Sequence, residues 1–262
     1  MTSRIPNLLD DFKKFEKIIK NHDLNNDELD LSQIDFLTPT ILLPSINFAE
    51  NINIKNYIVN DKTDHCIKSI LGLEEPIITS MPYKKFTNKN NIEIDSKFSD
   101  QIKEYGGVNA TQFLIGEMIN NIHDHSDFTI GYALAQLFPN IGVADISFMD
   151  NGVSIPGRFE EYGFEFKNDC DAIHQAINGR STAIKNEEMR GTGLNSTIRL
   201  VTEGNKGSIL IASRNGACYI NEKEINYKSV EDKYIKGTLI SIRVRKNSID
   251  IYPYMEKTTF KK

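Results

Sequence analysis

The chain has 262 residues, enough for one large domain or two of ordinary size, and an apolar fraction of 39% allows a packed core. A net charge of −5 argues against a dedicated nucleic-acid surface, which needs clustered Lys and Arg. Cys66, Cys170 and Cys218 lack metal-ligand spacing and read as reduced thiols. The N-terminus has no apolar signal core and no apolar run spans a bilayer, so a cytoplasmic protein without membrane contact is expected.

Residues 7–21 place Leu8, Phe12, Phe15 and Ile19 at helical spacing opposite Asp, Lys and Glu, which predicts an amphipathic helix. Leu29 to Ser32 alternates as a short strand. Pro39 opens an apolar helical run from Ile41 to Ala49, residues 55–59 read as a strand, and residues 64–71 as a helix. This pattern defines a small α/β region over 1–95. Pro76, Pro82 and the polar tract 87–91 place a connection over 74–100.

A helix is predicted over 108–124, followed by strands at 131–138 and 143–150 joined by a turn at Pro139-Asn140. A helix at 169–177 comes next, and residues 157–190 read as a lid around it. Arg190-Gly191-Thr192-Gly193-Leu194 opens a helix that runs to Val201. Strands are predicted at 207–213, 217–221 and 237–244. Residues 101–247 form a second region, and 248–262 read as a tail.

Glu117 and Asn121 are four apart, so they share one face of the 108–124 helix. A carboxamide oxygen is a hard ligand suited to Mg²⁺, and a carboxylate can orient or deprotonate a water or hydroxyl. Taken alone, both read as ordinary polar residues of a surface helix. His123, Asp124 and His125 end the helix, and adjacent residues do not converge on a metal. Asp150-Asn-Gly152 alone is a plain turn. The glycines of 190–194 can turn backbone N–H groups toward an anion at a helix N-terminus.

Taken together and in this order, Gln112 to Ser126, Asp150 to Ser154, Arg190 to Leu194 and Gly237-Thr238 resemble the four motifs of GHKL ATP-binding domains, the family of gyrase, Hsp90, histidine kinases and MutL. The similarity covers roughly 108–246 and is greatest to anti-sigma-factor serine kinases. It implies an α+β fold, the Bergerat two-layer α/β sandwich with a mixed, mostly antiparallel sheet. It implies ATP and Mg²⁺ as cofactors, with Asn121 as the Mg²⁺ ligand and Glu117 as the catalytic carboxylate. Asp150 would accept from the adenine amino group, Gly152 would admit the base, and Thr238 would support the pocket. His125, Ser181, Thr182, Arg190, Gly191, Thr192, Gly193 and Leu194 are the remaining nucleotide-binding positions. Ser154 and Asn195 depart from the family, which has glycine there.

The segment Leu31 to Leu43 is similar to a STAS-like front, where a phosphorylatable residue sits at the helix start, at Thr38 or Thr40; a plain helix N-cap is the alternative. The expected function is an ATP/Mg²⁺-binding regulatory protein that hydrolyses ATP or transfers its γ-phosphate to a protein Ser or Thr. The alternative is a nucleotide-gated interaction switch with little turnover. Both imply a protein partner and leave a homodimer open.

Overall fold

The computed structural model describes residues 6–22, 27–70, 83–87, 96–180, 193–230 and 235–255. Helix α1 (Leu8–Lys20) is capped by Asn7, whose side chain accepts from the Asp10 N–H at 2.8 Å, and its first turn carries Asp10 and Asp11, favourable at a helix N-terminus. Strands β1 (Glu28–Asp30) and β2 (Asn56–Ile58) pair in parallel around helix α2 (Pro39–Asn51). Pro39 occupies the first turn of α2, where its missing N–H costs little. Helix α3 (Asp61–Ile70), strand β3 (Tyr83–Thr87) and helix α4 (Ser96–Ile102) follow.

The remaining elements are helix α5 (Val108–His125), strands β4 (Ile130–Phe138) and β5 (Val143–Asp150), and helices α6 (Ile155–Glu161), α7 (Asp169–Ile177) and α8 (Gly193–Arg199). A π-helical turn, Leu200–Gly204, extends α8. Strands β6 (Ser208–Arg214), β7 (Gly216–Asn221), β8 (Ile225–Ser229) and β9 (Ile235–Arg245) complete the order. No described helix is long and apolar enough to cross a membrane.

The fold is α+β. Seven strands form one sheet in the order β3-β4-β5-β9-β6-β7-β8, and every pairing in it is antiparallel. The expected mixed sheet is corrected here, since the only parallel pair among the described strands, β1 with β2, lies outside it. Alternation along the strands gives the sheet two apolar faces. Ala133, Ile146, Phe148, Ile209, Ile211, Ile240 and Ile242 face α4, α5, α7 and α8. Leu134, Met149, Leu210, Ala212, Tyr219 and Leu239 join the other core, with Leu8, Phe12, Phe15, Ile41 and Leu42 of α1 and α2.

The expected two-layer arrangement therefore gains a third layer, and the connection over 74–100 does not divide the chain into separate cores. β3, within that stretch, pairs with β4, and Asn47 of α2 donates to the Lys236 carbonyl of β9 at 3.0 Å. Each large apolar side chain fully buried at this junction contributes about 1.5–3 kcal/mol. Thr38 and Thr40 are 1% and 0% exposed, which removes both as accessible phosphate acceptors.

Candidate functional site

Helix α5 buries Leu114, Ile115, Met118 and Ile122 against the sheet and leaves Glu117 and Asn121 half-buried on its flank. Its N-terminus is fixed from the far end of the chain: Gly106 donates to the Asn247 carbonyl at 2.7 Å, and Ile249 donates back to Gly106 at 2.8 Å. The Glu117 carboxylate lies against the first residue of α8, where a Cβ on Gly193 would come within 1.8 Å of Oε2. Burial, with the negative charge of Asp124 second, pushes the Glu117 carboxyl above its usual range. A carboxyl raised in this way is better matched to proton transfer near neutral pH.

The Asn121 side-chain nitrogen is buried and has no hydrogen-bond partner among the described residues. An orphaned buried amide is costly unless an incoming group satisfies it, and the assignment of its nitrogen and oxygen ends can be exchanged. His125 is half-buried, and its carbonyl accepts from Arg158. His123 is exposed and packs edge-on against Phe128, with ring centroids 5.1 Å apart. No cluster of three or more His, Cys, Asp or Glu that could hold a metal exists among the described residues.

Asp150 ends β5 and is 2% exposed. The register that places Met149 opposite Leu239 and Ser213 opposite Thr238 puts Asp150, Thr238 and Ser213 in one row across β5, β9 and β6. Asp150 accepts from the Gly152 N–H at 2.9 Å. Burial pushes its carboxyl up to about 7; bonds from the Gly152 and Thr238 backbones and contact with the Ser126 hydroxyl pull in the opposite direction and do not offset it. Gly237, at φ +84°, is required here, because a Cβ would lie 2.0 Å from the Asp150 carbonyl. Gly152 is required for a different reason: a Cβ would lie 2.0 Å from the Ser126 carbonyl.

Thr238 and Ser213 share a hydroxyl–hydroxyl bond of 2.8 Å, and Ser213 also accepts from the Ile155 N–H at 2.9 Å. Ser126 and Ser213 are the members of this arrangement that sequence reasoning missed. The available signal for Ser213 was a hydroxyl closing the apolar strand Ile209 to Ala212. Leu194 packs, half-buried, on the core beneath α5. The structure thus brings Glu117 to Gly193 and Asp150 to Gly152 and Thr238. Ser181, Thr182, Arg190, Gly191 and Thr192 lie outside the described residues.

Both departures from the glycine pattern have structural roles. Ser154, at φ −70°, needs no glycine, and its hydroxyl accepts from the Gly157 N–H at 3.0 Å, capping α6. Asn195 is 6% exposed and donates to the Ile177 carbonyl at 3.2 Å, tying α8 to the end of α7. The lid expected over 157–190 is narrowed, because α6 and α7 bury Phe159, Ala172, Ile173 and Ile177 in packed structure. Arg180, at the end of α7, stacks over Phe164 at 4.2 Å from the ring centroid. No protein-family model matches the chain, and no curated protein matches it.

Proposed function

We propose that the chain is a GHKL-type regulatory protein that binds ATP with Mg²⁺ and either hydrolyses the nucleotide or transfers its γ-phosphate to a Ser or Thr of a partner protein. The observation that carries the reading is the buried Asp150 carboxyl at the end of β5, level with Thr238 and Ser213 and facing a turn that only glycine permits at 152. A buried acceptor in that place discriminates for an exocyclic amino group and against a carbonyl. The antiparallel sheet with α5, α7 and α8 on one face supports the same reading.

The residues present fit the cofactor. The Asn121 side-chain nitrogen has no partner among the described residues, and with the amide turned so that its oxygen takes that place it would suit Mg²⁺, which favours a site of few protein oxygens completed by phosphate and water. Asn121 would hold the metal and Asp150 the base. Bound MgATP would supply the electrophilic γ-phosphorus. Glu117 would orient the attacking water or hydroxyl and take its proton.

A second reading, an interaction switch with little turnover, draws on the Glu117–Gly193 contact. A carboxylate already lies against the start of α8, so an entering phosphate would displace that side chain and exchange its contact with α8 for a new one. Incubation with γ-labelled ATP and Mg²⁺ tests both readings. Label released as phosphate, and lost in Glu117→Ala, establishes hydrolysis; label on a partner protein establishes phosphotransfer. Binding without either supports the switch, and absence of ATP binding overturns the proposal.

A further inference from the structure

Arg158 of α6 is one of the few charged side chains near the candidate site with little exposure, at 13%, and all three of its guanidinium nitrogens are engaged. Nε donates to the His125 carbonyl at 2.7 Å. Nη2 pairs with Asp127 Oδ2 at 2.7 Å, and Nη1 with Glu161 Oε2 at 2.7 Å. The first contact satisfies a carbonyl of the last turn of α5, which lacks an intrahelical donor. The second holds Asp127, a non-glycine residue at φ +45°. Glu161 lies three residues along α6 and orients the guanidinium plane.

His125 and Asp127 bracket Ser126, and Ser126 makes a direct backbone contact between the end of α5 and the Asp150 turn. Its carbonyl accepts from the Val153 N–H at 2.5 Å and lies where a Cβ on Gly152 would stand, 2.0 Å away. The Ser126 hydroxyl donates to the Ile122 carbonyl at 2.7 Å and also contacts Asp150. Asn151 adds further bonds to the Thr129 and Ile130 backbones, and Arg158 grips the chain on both sides of Ser126, the residue of this junction nearest the end of α5.

We infer that Arg158 is a positioning residue for nucleotide binding: it fixes the separation between the residues assigned to the phosphate end and the residue assigned to the base. This rests on the proposed ATP site. The planar fork of arginine suits the task, since one group meets a carbonyl and two carboxylates at fixed angles, a geometry that a compact ammonium reproduces only in part.

The test is MgATP titration by calorimetry of wild type, Arg158→Ala, Arg158→Lys and Asp127→Asn, with hydrogen exchange of the Val153 amide in the nucleotide-free proteins. Arg158→Ala is expected to weaken ATP binding at least tenfold at unchanged stoichiometry and to speed Val153 exchange. Arg158→Lys should recover part of both, and Asp127→Asn should lose less than Arg158→Ala. Wild-type affinity in Arg158→Ala, or reduced stoichiometry with unchanged Kd, overturns the positioning role and leaves the ATP site standing. Should Arg158→Ala fail to fold, the Lys and Asp127→Asn variants decide the question by the same criteria. Failure of the wild type to bind ATP overturns the functional reading, and the positioning role with it.

Discussion

A Cβ built on Gly193 would stand 1.8 Å from Glu117 Oε2, so the α5 carboxylate and the first residue of α8 are in contact only because residue 193 has no side chain. The obstructing atom is the far end of a flexible side chain, so Gly193→Ala should displace the carboxylate and leave the fold intact. Turnover of ATP is expected to fall at least tenfold. Stability should change by less than about 1 kcal/mol, because alanine is no worse than glycine in a helix. Phosphate release and thermal unfolding measured on the same sample check both; a matched loss of stability would assign the glycine to packing.

Asp150 carries a pH dependence whose sign can be worked out. Its carboxyl is pushed up to about 7 in the folded protein from a usual value of 3.8, so the folded state holds that proton more tightly than the unfolded state. Its contribution to stability is full below the unfolded value and is lost as pH rises through about 7. Relative to Asp150→Asn, the wild type should lose on the order of 4 kcal/mol between acid and mildly alkaline pH. Urea unfolding at about pH 4 and about pH 8 reads this difference. ATP affinity should move the other way, tightening as the carboxylate ionises, and Asp150→Asn should weaken binding and flatten that profile.

The sheet is tied to the lead-in of α1 by a buried ion pair. Arg243 donates to Asp145 at 2.6 and 2.7 Å and to the Pro6 carbonyl at 2.8 Å, and Asp145 is 0% exposed. Arg243→Met strands a buried carboxylate and should cost about 3–5 kcal/mol. Replacing both partners, Asp145→Leu with Arg243→Met, should recover most of that loss, because no charge is then left unpaired. Denaturant unfolding of the two variants checks the ordering.

The shared core predicts that residues 101–262 do not fold alone. Without α1 and α2, the face containing Leu210, Ala212, Tyr219 and Leu239 is open to water. The fragment should aggregate or lose its fixed tertiary signals in near-ultraviolet dichroism. In the whole chain, Phe12→Ala should cost about 3–5 kcal/mol. A well-folded soluble fragment would show that the two regions are independent.

Periodicity located most of the elements because it is a local property. α7 spans Asp169–Ile177 and β5 spans Val143–Asp150, as the apolar spacing predicts. β3 and β8 were not legible. β3 lies in a polar, Pro-flanked stretch and acquires strand geometry by pairing with β4, and β8 is an edge strand with Asn226, Tyr227 and Lys228 in succession. Glu117, Asn121 and Asp150 could be singled out only through the ordered motifs that resemble a known family, since taken alone each reads as an ordinary polar residue or turn. Ser126 and Ser213 could not, because their place beside Asp150 depends on register and on contacts between distant segments. The burial of Thr38 and Thr40 was hidden for the same reason, since a helix start looks alike in sequence whether or not another layer covers it.

The place of β9 has a consequence for how the molecule comes into being. The last of the described strands in chain order lies at the sheet's centre, between β5 and β6, and carries Gly237 and Thr238 to Asp150. During synthesis, β4 and β5 emerge with one edge waiting for a partner about a hundred residues downstream, and such distant pairing is slow to form. Until residue 245 has left the ribosome the sheet is split, and the row of Asp150, Thr238 and Ser213 does not exist. On the proposed reading, a nascent chain would not capture nucleotide early, because the site it requires is assembled only by the closing strand.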